Sequence, residues 1–224
     1  MPTYPVRFVA PPASGARNRL TVAFRPILAL PHIILIGPIW SPRGGGPGLL
    51  GAAAYFLAIV NWVSVVFTGT LVPGIRDFAL FYLRWRARAT SYQAMLVDPY
   101  PPFTDAAYPT AIEVDAPVGP RDRLSIAFRM ILVVPHLIAL CFVLLAWCLT
   151  SIVAWFAILF TGYYPPTLYA FAAGALQWVL RVEAYLLLLV DEYPPFDLAI
   201  DLHQGLDTDA PNHGLGTAPP PLHA

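Results

Sequence analysis

The sequence predicts an all-α integral membrane protein made of two tandem repeats. Each repeat reads as a transmembrane helical hairpin plus an amphipathic interfacial helix, with short strands at the cytoplasmic surface. Three observations carry this: a composition depleted in charge, long uncharged apolar runs, and an internal repeat. Of 224 residues 58% are hydrophobic and 12% charged, against roughly 25% charged in soluble domains. Met130 to Gly162 contains no formally charged side chain. A bilayer core needs about 20 such residues per helix, and a soluble core of this size has no room for so much apolar surface.

The repeat is read from ordered matches. Arg17-Asn18-Arg19-Leu20 returns as Arg121-Asp122-Arg123-Leu124, Ala23-Phe24-Arg25 as Ala127-Phe128-Arg129, and Pro31-His32 as Pro135-His136. After a change of spacing, Phe67-Thr68-Gly69 returns as Phe160-Thr161-Gly162, and Trp85, Arg88, Tyr92 and Leu96 as Trp178, Arg181, Tyr185 and Leu189. Both copies close on Asp-x-Tyr-Pro-Pro-Phe, Asp98 to Phe103 and Asp191 to Phe196. The change of spacing comes from a Pro/Gly-rich loop, Ser41 to Gly48, found in the first copy alone. The division is therefore 1–103, 104–200 and a tail at 201–224.

This order of motifs resembles the bacterial membrane family called domain of unknown function 4389. The resemblance runs over nearly the whole chain twice, from about Tyr4 to about Asp197. It implies the membrane architecture and brings no activity, cofactor or catalytic residue with it.

Each unit opens on a short alternating stretch, Val6 and Phe8 before Pro11-Pro12, and Ile112 and Val114 before Pro117. Period two bounded by proline predicts a strand. Leu198, Ile200 and Leu202 alternate likewise. The first hairpin helices are expected at about Leu20 to Trp40 and Leu124 to Cys141, the second at about Leu49 to Phe67 and Phe142 to Phe160. Seventeen to twenty residues span about 26 to 30 Å, enough for the hydrocarbon layer. Pro31 and Pro135 read as kinks.

Between Pro135 and Gly162 the second copy has no Gly, Pro, Asn or Asp with which to turn. The rival to a hairpin is thus one long helix from about Leu137 to Thr161, preceded by an interfacial segment. Charge favours the hairpin. All thirteen basic residues are arginine, and hairpins put twelve on one side and only Arg43 on the other, the positive-inside pattern.

The third segments place Ile75, Phe78, Tyr82, Trp85, Ala89, Tyr92 and Leu96 on one helical face, and Leu168, Phe171, Ala175, Trp178, Val182, Tyr185 and Leu189 on its counterpart. Arg84, Arg88 and Arg181 lie off those faces. That suits a helix at the headgroup boundary, and equally an aromatic stripe packed on the hairpins. Asp207 to Ala224 reads as a disordered tail.

Candidate chemistry is sparse. His32 and His136 follow the kink prolines at equal depth. Two such imidazoles suit a haem iron or a metal, or they donate to the carbonyls of Ile27 and Ile131 that the prolines free. The second reading is favoured, since no Cys, Glu or further His lies at ligand spacing. Arg25 and Arg129 are expected to snorkel to the headgroups and, with Arg17, Arg19, Arg121 and Arg123, to form two basic clusters near anionic lipid. Asp98 and Asp191 end their helices and read as pairing with those arginines or, the favoured reading, as ordinary boundary aspartates. Cys141 and Cys148, about 10 Å apart along one helix, are too distant for a disulfide. The zero net charge gives no footprint for nucleic acid. The opening residues lack the apolar core of a secretory signal, so the first transmembrane segment is expected to direct insertion.

The expected role is non-enzymatic, without cofactor or metal: a multi-pass scaffold or accessory subunit of the bacterial cytoplasmic membrane, both termini cytoplasmic, contacting lipid or another membrane protein. Two other classes stay open, a small transporter with its path between the repeats and a haem-binding redox subunit using His32 and His136.

Overall fold

The computed structural model describes residues 4–13, 15–38, 47–104, 106–115, 117 and 121–200. Arg43, most of the Ser41 to Gly48 loop, Leu202 and the tail lie outside the described residues. Among the described residues the chain is mostly helical, with one two-stranded sheet. In order come β1 (Val6–Val9), α1 (Arg19–Leu28), α2 (Leu30–Ile36), α3 (Gly48–Thr68), α4 (Pro73–Gln93), β2 (Ala111–Val114), α5 (Arg123–Leu132), α6 (Val134–Thr161) and α7 (Pro166–Leu186).

Local chemistry sets the ends. Asn18 and Asp122 are the N-caps of α1 and α5, each accepting from the leucine amide two residues on at 3.1 and 3.0 Å. Gly69 and Gly162 follow α3 and α6 with φ of 78° and 83°, the left-handed cap that glycine alone adopts without penalty. That accounts for the repeated Phe-Thr-Gly. Pro31 and Pro135 stand in the first turns of α2 and α6, where a missing N–H costs nothing.

The expected hairpin is not formed. No turn interrupts α6 between Cys141 and Cys148; it is a single helix of 28 residues, as the lack of turn residues there allows. With α5 it forms one nearly continuous stretch, Arg123–Thr161, of 39 residues. In the first copy, contacts along α4 show the same layout. Val72 N–H, just before α4, bonds Asn61 Oδ1, and Tyr82 packs on Tyr55. Arg86 then bonds the Ile36 carbonyl, Trp85 reaches His32, and Tyr92 meets Arg25. As α4 advances, its partners descend steadily from 61 to 25. So α1, α2 and α3 follow one another along one bent line, with a 43° bend between α1 and α2. A folded-back α3 would carry the far end of α4 away from Arg25.

The two long helical lines run antiparallel, each start against the other's end. Arg17 N–H bonds the Gly162 carbonyl at 2.7 Å, and Trp155 Nε1 donates to the Val22 carbonyl at 3.0 Å. In the other half Arg123 bonds the Thr68 carbonyl, and Trp62 Nε1 donates to the Ile126 carbonyl at 2.7 Å. The α4 and α7 helices pack on these lines and on each other. The ribbon closes the far side, with β1 and β2 antiparallel (Val6 opposite Val114, Phe8 opposite Ile112), β1 on α7 and β2 on α4. Leu198 and Ile200 form no third strand; Gln177 Nε2 ties that segment to α7 through the Ala199 carbonyl.

This layering also corrects the boundary placement of α4 and α7. Trp85 and Trp178 are 8% and 5% exposed, because these helices fill the middle of the molecule. The long lines instead expose their apolar surface. Gly48–Thr68 and Arg123–Thr161 are long and apolar enough to cross a membrane, as is the bent α1–α2 pair if it acts as one span. On α6 one stripe is buried, His136, Leu140, Leu144, Trp147, Ser151, Ala154 and Ile158, while Phe142, Leu145, Leu149, Ile152 and Phe156 face outward.

Spin labels at Ile138 and Val153, with Cys141 and Cys148 replaced by alanine, test the continuous helix. Fifteen residues of helix separate the positions by about 22 Å; a hairpin would bring them to roughly 10 Å, the spacing of packed helices.

Candidate functional site

The repeated motifs converge on two matched clusters. Arg25 and Arg129 do not snorkel: they are 2% and 1% exposed. Each guanidinium instead closes the carbonyl end of a central helix. Arg25 Nη1 donates to the carbonyls of Tyr92 and Val97 at 3.2 and 2.9 Å, and Nη2 to Asp98 Oδ1 at 2.9 Å. Arg129 repeats this with Tyr185, Val190 and Asp191 at 2.6, 3.0 and 3.0 Å. The last carbonyls of a helix carry partial negative charge and lack intrahelical donors, so a buried cation there finds several acceptors at once. The tyrosine faces complete the seat, 4.5 and 4.1 Å from the guanidinium carbons. Met95 and Leu188, at φ of 62° and 61°, turn the chain so that Val97 and Val190 reach the arginines, a conformation costing a non-glycine residue about 1–2 kcal/mol.

Seven residues along α1–α2 and α5–α6 stand His32 and His136, fully buried. Trp85 Nε1 donates to His32 Nδ1 and Trp178 Nε1 to His136 Nδ1, both at 3.1 Å. An Nδ1 that accepts is unprotonated, so each neutral ring carries its proton on Nε2. Phe103 stacks on His32 at 4.7 Å and Phe196 on His136 at 3.9 Å, with Tyr100 and Tyr193 at 5.0 and 4.7 Å. The Tyr-Pro-Pro-Phe motif therefore builds an aromatic cage around each imidazole, and its leading Asp pairs with the arginine. The imidazoles do not serve the kink carbonyls. The Ala29 and Val133 amides approach the carbonyls of Ile27 and Ile131. The carbonyl that a proline does strip of its donor is Val22, four residues before Pro26, and Trp155 of the other copy supplies the bond.

The remaining expected positions are structural joints. Arg19 lies against Gly162, and Arg123 on the Thr68 carbonyl beside Gly69, so each copy's Arg-x-Arg-Leu seats in the other's Phe-Thr-Gly. Arg88 Nη1 bonds the carbonyls of Thr104 and Ala106, both at 3.1 Å; Arg181 Nε bonds the Val6 carbonyl at 3.2 Å beneath the Tyr4 ring. These two arginines hold the segments that cover α4 and α7. Among the described residues no three His, Cys, Asp or Glu side chains converge as a metal would need.

Sequence reasoning missed the pair that joins the two copies. Arg86 and Glu183 meet at 2.6 Å where α4 and α7 pack, each side chain 10% exposed. Burial pushes the Glu183 carboxyl above its ordinary range, while Arg86 and Tyr55 pull it down. The repeat gives no signal for them, since Val179 and Thr90 occupy the matching positions. Gln93 and Ser151, matched by Leu186 and Ala58, were visible only as places where the copies differ.

Glu183→Gln is expected to lower stability by about 3–5 kcal/mol by stranding a buried cation. Replacing the pair together, Arg86→Met with Glu183→Leu, should recover most of that loss, read as thermal unfolding in detergent. Trp85→Phe should cost about 1–3 kcal/mol and shift the Nδ1 resonance of His32 while leaving that of His136 in place.

No curated protein and no solved structure matches the chain. The Trp, Asp and Tyr-Pro-Pro-Phe residues of both clusters, and Arg129 and His136 of the second, fall within two tandem family matches, over residues 47–105 and 123–197, and the chain belongs to the family described as Domain of unknown function (DUF4389).

Proposed function

We propose that this protein is a non-enzymatic scaffold or accessory subunit of the bacterial cytoplasmic membrane, bedded in the bilayer through its two long helical lines. The observation that carries this is the apolar outer surface of α3, α5 and α6. Only 28% of the most apolar window of each stretch is buried, and large apolar side chains from Leu124 to Phe160 face outward. Water does not tolerate a patch of that length; lipid requires one.

Length argues for how the helices lie. The exposed stretch from Leu124 to Phe160 is about 54 Å long, nearly twice the roughly 30 Å of hydrocarbon. Membrane helices tilt by about 0–40°, too little to absorb such an excess, which favours long lines lying along the membrane plane. The antiparallel lines then share one lipid-facing side, and the arginine-bearing α4–α7 layer and ribbon lie on the other. That arrangement retains the one-sided arginine distribution without a hairpin. The Nη atoms of Arg25 and Arg129 are engaged at helix ends and each imidazole Nδ1 is taken by a tryptophan, which supports an architectural role over catalysis. The caged imidazoles, with the ring proton on Nε2 and a phenylalanine stacked on each, favour that role over haem ligation.

Nitroxides at Leu124, Phe128, Ile138, Leu145, Ile152 and Phe160, in full-length protein reconstituted into vesicles, test this through accessibility to oxygen and to a nickel chelate. Similar depths at all six positions are expected. A depth that rises to the middle and falls to the opposite surface would identify a spanning helix, and nickel-accessible labels throughout would remove the protein from the bilayer.

A further inference from the structure

We propose that the cavity between α1–α2, the end of α4 and α6 binds the carbonyl end of a lipid acyl chain. The inference rests on the membrane reading above. The cavity measures about 330 Å³ and is half-open, walled by Pro26, Ala29, Ile33, Ile152, Trp155 and Phe156. That is the size of a small ligand site, about 300–1,000 Å³. Three polar side chains also line it, Arg25, Gln93 and Ser151, and each has a buried atom without a partner: Arg25 Nε, Gln93 Nε2 and Ser151 Oγ.

Those atoms define the ligand. Arg25 Nε and Gln93 Nε2 are donors only, and the Ser151 hydroxyl is free to donate. A helical Ser or Thr commonly satisfies itself on the carbonyl four residues back, as Thr150 does on Ala146 and Thr161 on Ala157. Ser151 Oγ makes no such bond to the Trp147 carbonyl four residues back. Ser151 is 3% exposed, so solvent does not serve it either. The Arg25 charge is matched by Asp98 at 2.9 Å. The cavity thus offers donors without free charge in an apolar enclosure, the complement of an uncharged acceptor oxygen attached to hydrocarbon. The mouth gives onto Ile152 and Phe156, 52% and 49% exposed, along which a chain continues into the bilayer. In the other copy Leu186 and Ala58 stand where Gln93 and Ser151 do, and of the three donors only the arginine, Arg129, is repeated. The set of three donors therefore occurs once.

An acyl carbonyl of this kind comes from a bilayer glycerolipid or from a free fatty acid in its protonated form. The test is photolabelling of the full chain in phosphatidylglycerol–phosphatidylethanolamine vesicles, with a diazirine in one phospholipid acyl chain or, in a second arm, in free palmitate. Labelling is expected on peptides containing Ile33, Ile152 or Phe156. The variant Q93L/S151A, which copies the residues of the other half, should reduce it at least tenfold with unfolding temperature and membrane retention unchanged. The arm that labels identifies the source. Equal labelling of parent and variant, or labels confined to other exposed apolar positions, would overturn the site. Should the double variant misfold, Ser151→Ala alone must still lower labelling severalfold. Loss of the parent protein from the vesicles would instead mark failure of the membrane reading.

Discussion

The structure depends on a buried guanidinium at the carbonyl end of a helix. Arg25 and Arg129 sit among apolar side chains, where an unpaired cation would be ruinous, and each is held by two main-chain carbonyls and one carboxylate. Those acceptors lie where a helix has carbonyls to spare. The bonds fix where α4 and α7 stop and the register of each against its long line. Seven residues on, still on the same face, the next rung forms: His32 against Trp85, which is seven residues back from Tyr92, and His136 against Trp178, seven back from Tyr185. Two antiparallel helices joined by rungs of equal spacing cannot slide without breaking both. The aromatic motif after each helix then folds over the second rung and excludes water from it.

The second constraint is reciprocity between the copies. Each long line ends on a left-handed glycine cap that receives an arginine from the start of the other line, and each offers a tryptophan to the other's first helix. Neither copy completes its own termini. The strands that open the two copies pair antiparallel, as an approximate two-fold between them demands. Duplication here gives one interlocked unit, with the Arg86–Glu183 pair, which has no counterpart, buried at the crossing of α4 and α7.

Much of this was legible in the sequence, and the failures are physical. The repeat, the strands, the aromatic faces and the motif residues follow from period and order, because matched contacts impose matched residues. The hairpin failed for a specific reason. The missing turn residues between Pro135 and Gly162 were the better signal, but the arginine count outweighed them on the assumption that the helices stand upright. The arginines of α4 and α7 were read as suiting the headgroup boundary because they lie off the aromatic stripe. A helical period shows one covered face and cannot reveal a second cover, here a ribbon of eight strand residues and the segments at Thr104 to Ala106 and Val6 that Arg88 and Arg181 grip. Arg86 and Glu183 left no trace, since a pair formed once between copies has no counterpart.

Where the copies diverge in length, the divergence is confined to one line. The first long line is interrupted between α2 and α3 by residues 37–47, absent from the second copy, yet α4 follows α3 and α2 as though they were continuous. Glycine makes that possible. Gly37 and Gly48 have φ of 79° and 71°, and a Cβ on Gly48 would strike the backbone of Leu35 and Gly37. The chain leaves the helical line at one glycine and rejoins it at the other, so the extra residues are accommodated without disturbing the rungs on either side. The Gln93 and Ser151 substitutions act near the same line but on its partner surfaces, turning an apolar junction into one with unsatisfied donors. The duplicated ladder supplies a rigid frame twice over, which leaves the first line free to depart from symmetry. In a molecule whose matched parts are spent on holding one another, those departures are where recognition of something else has room to form.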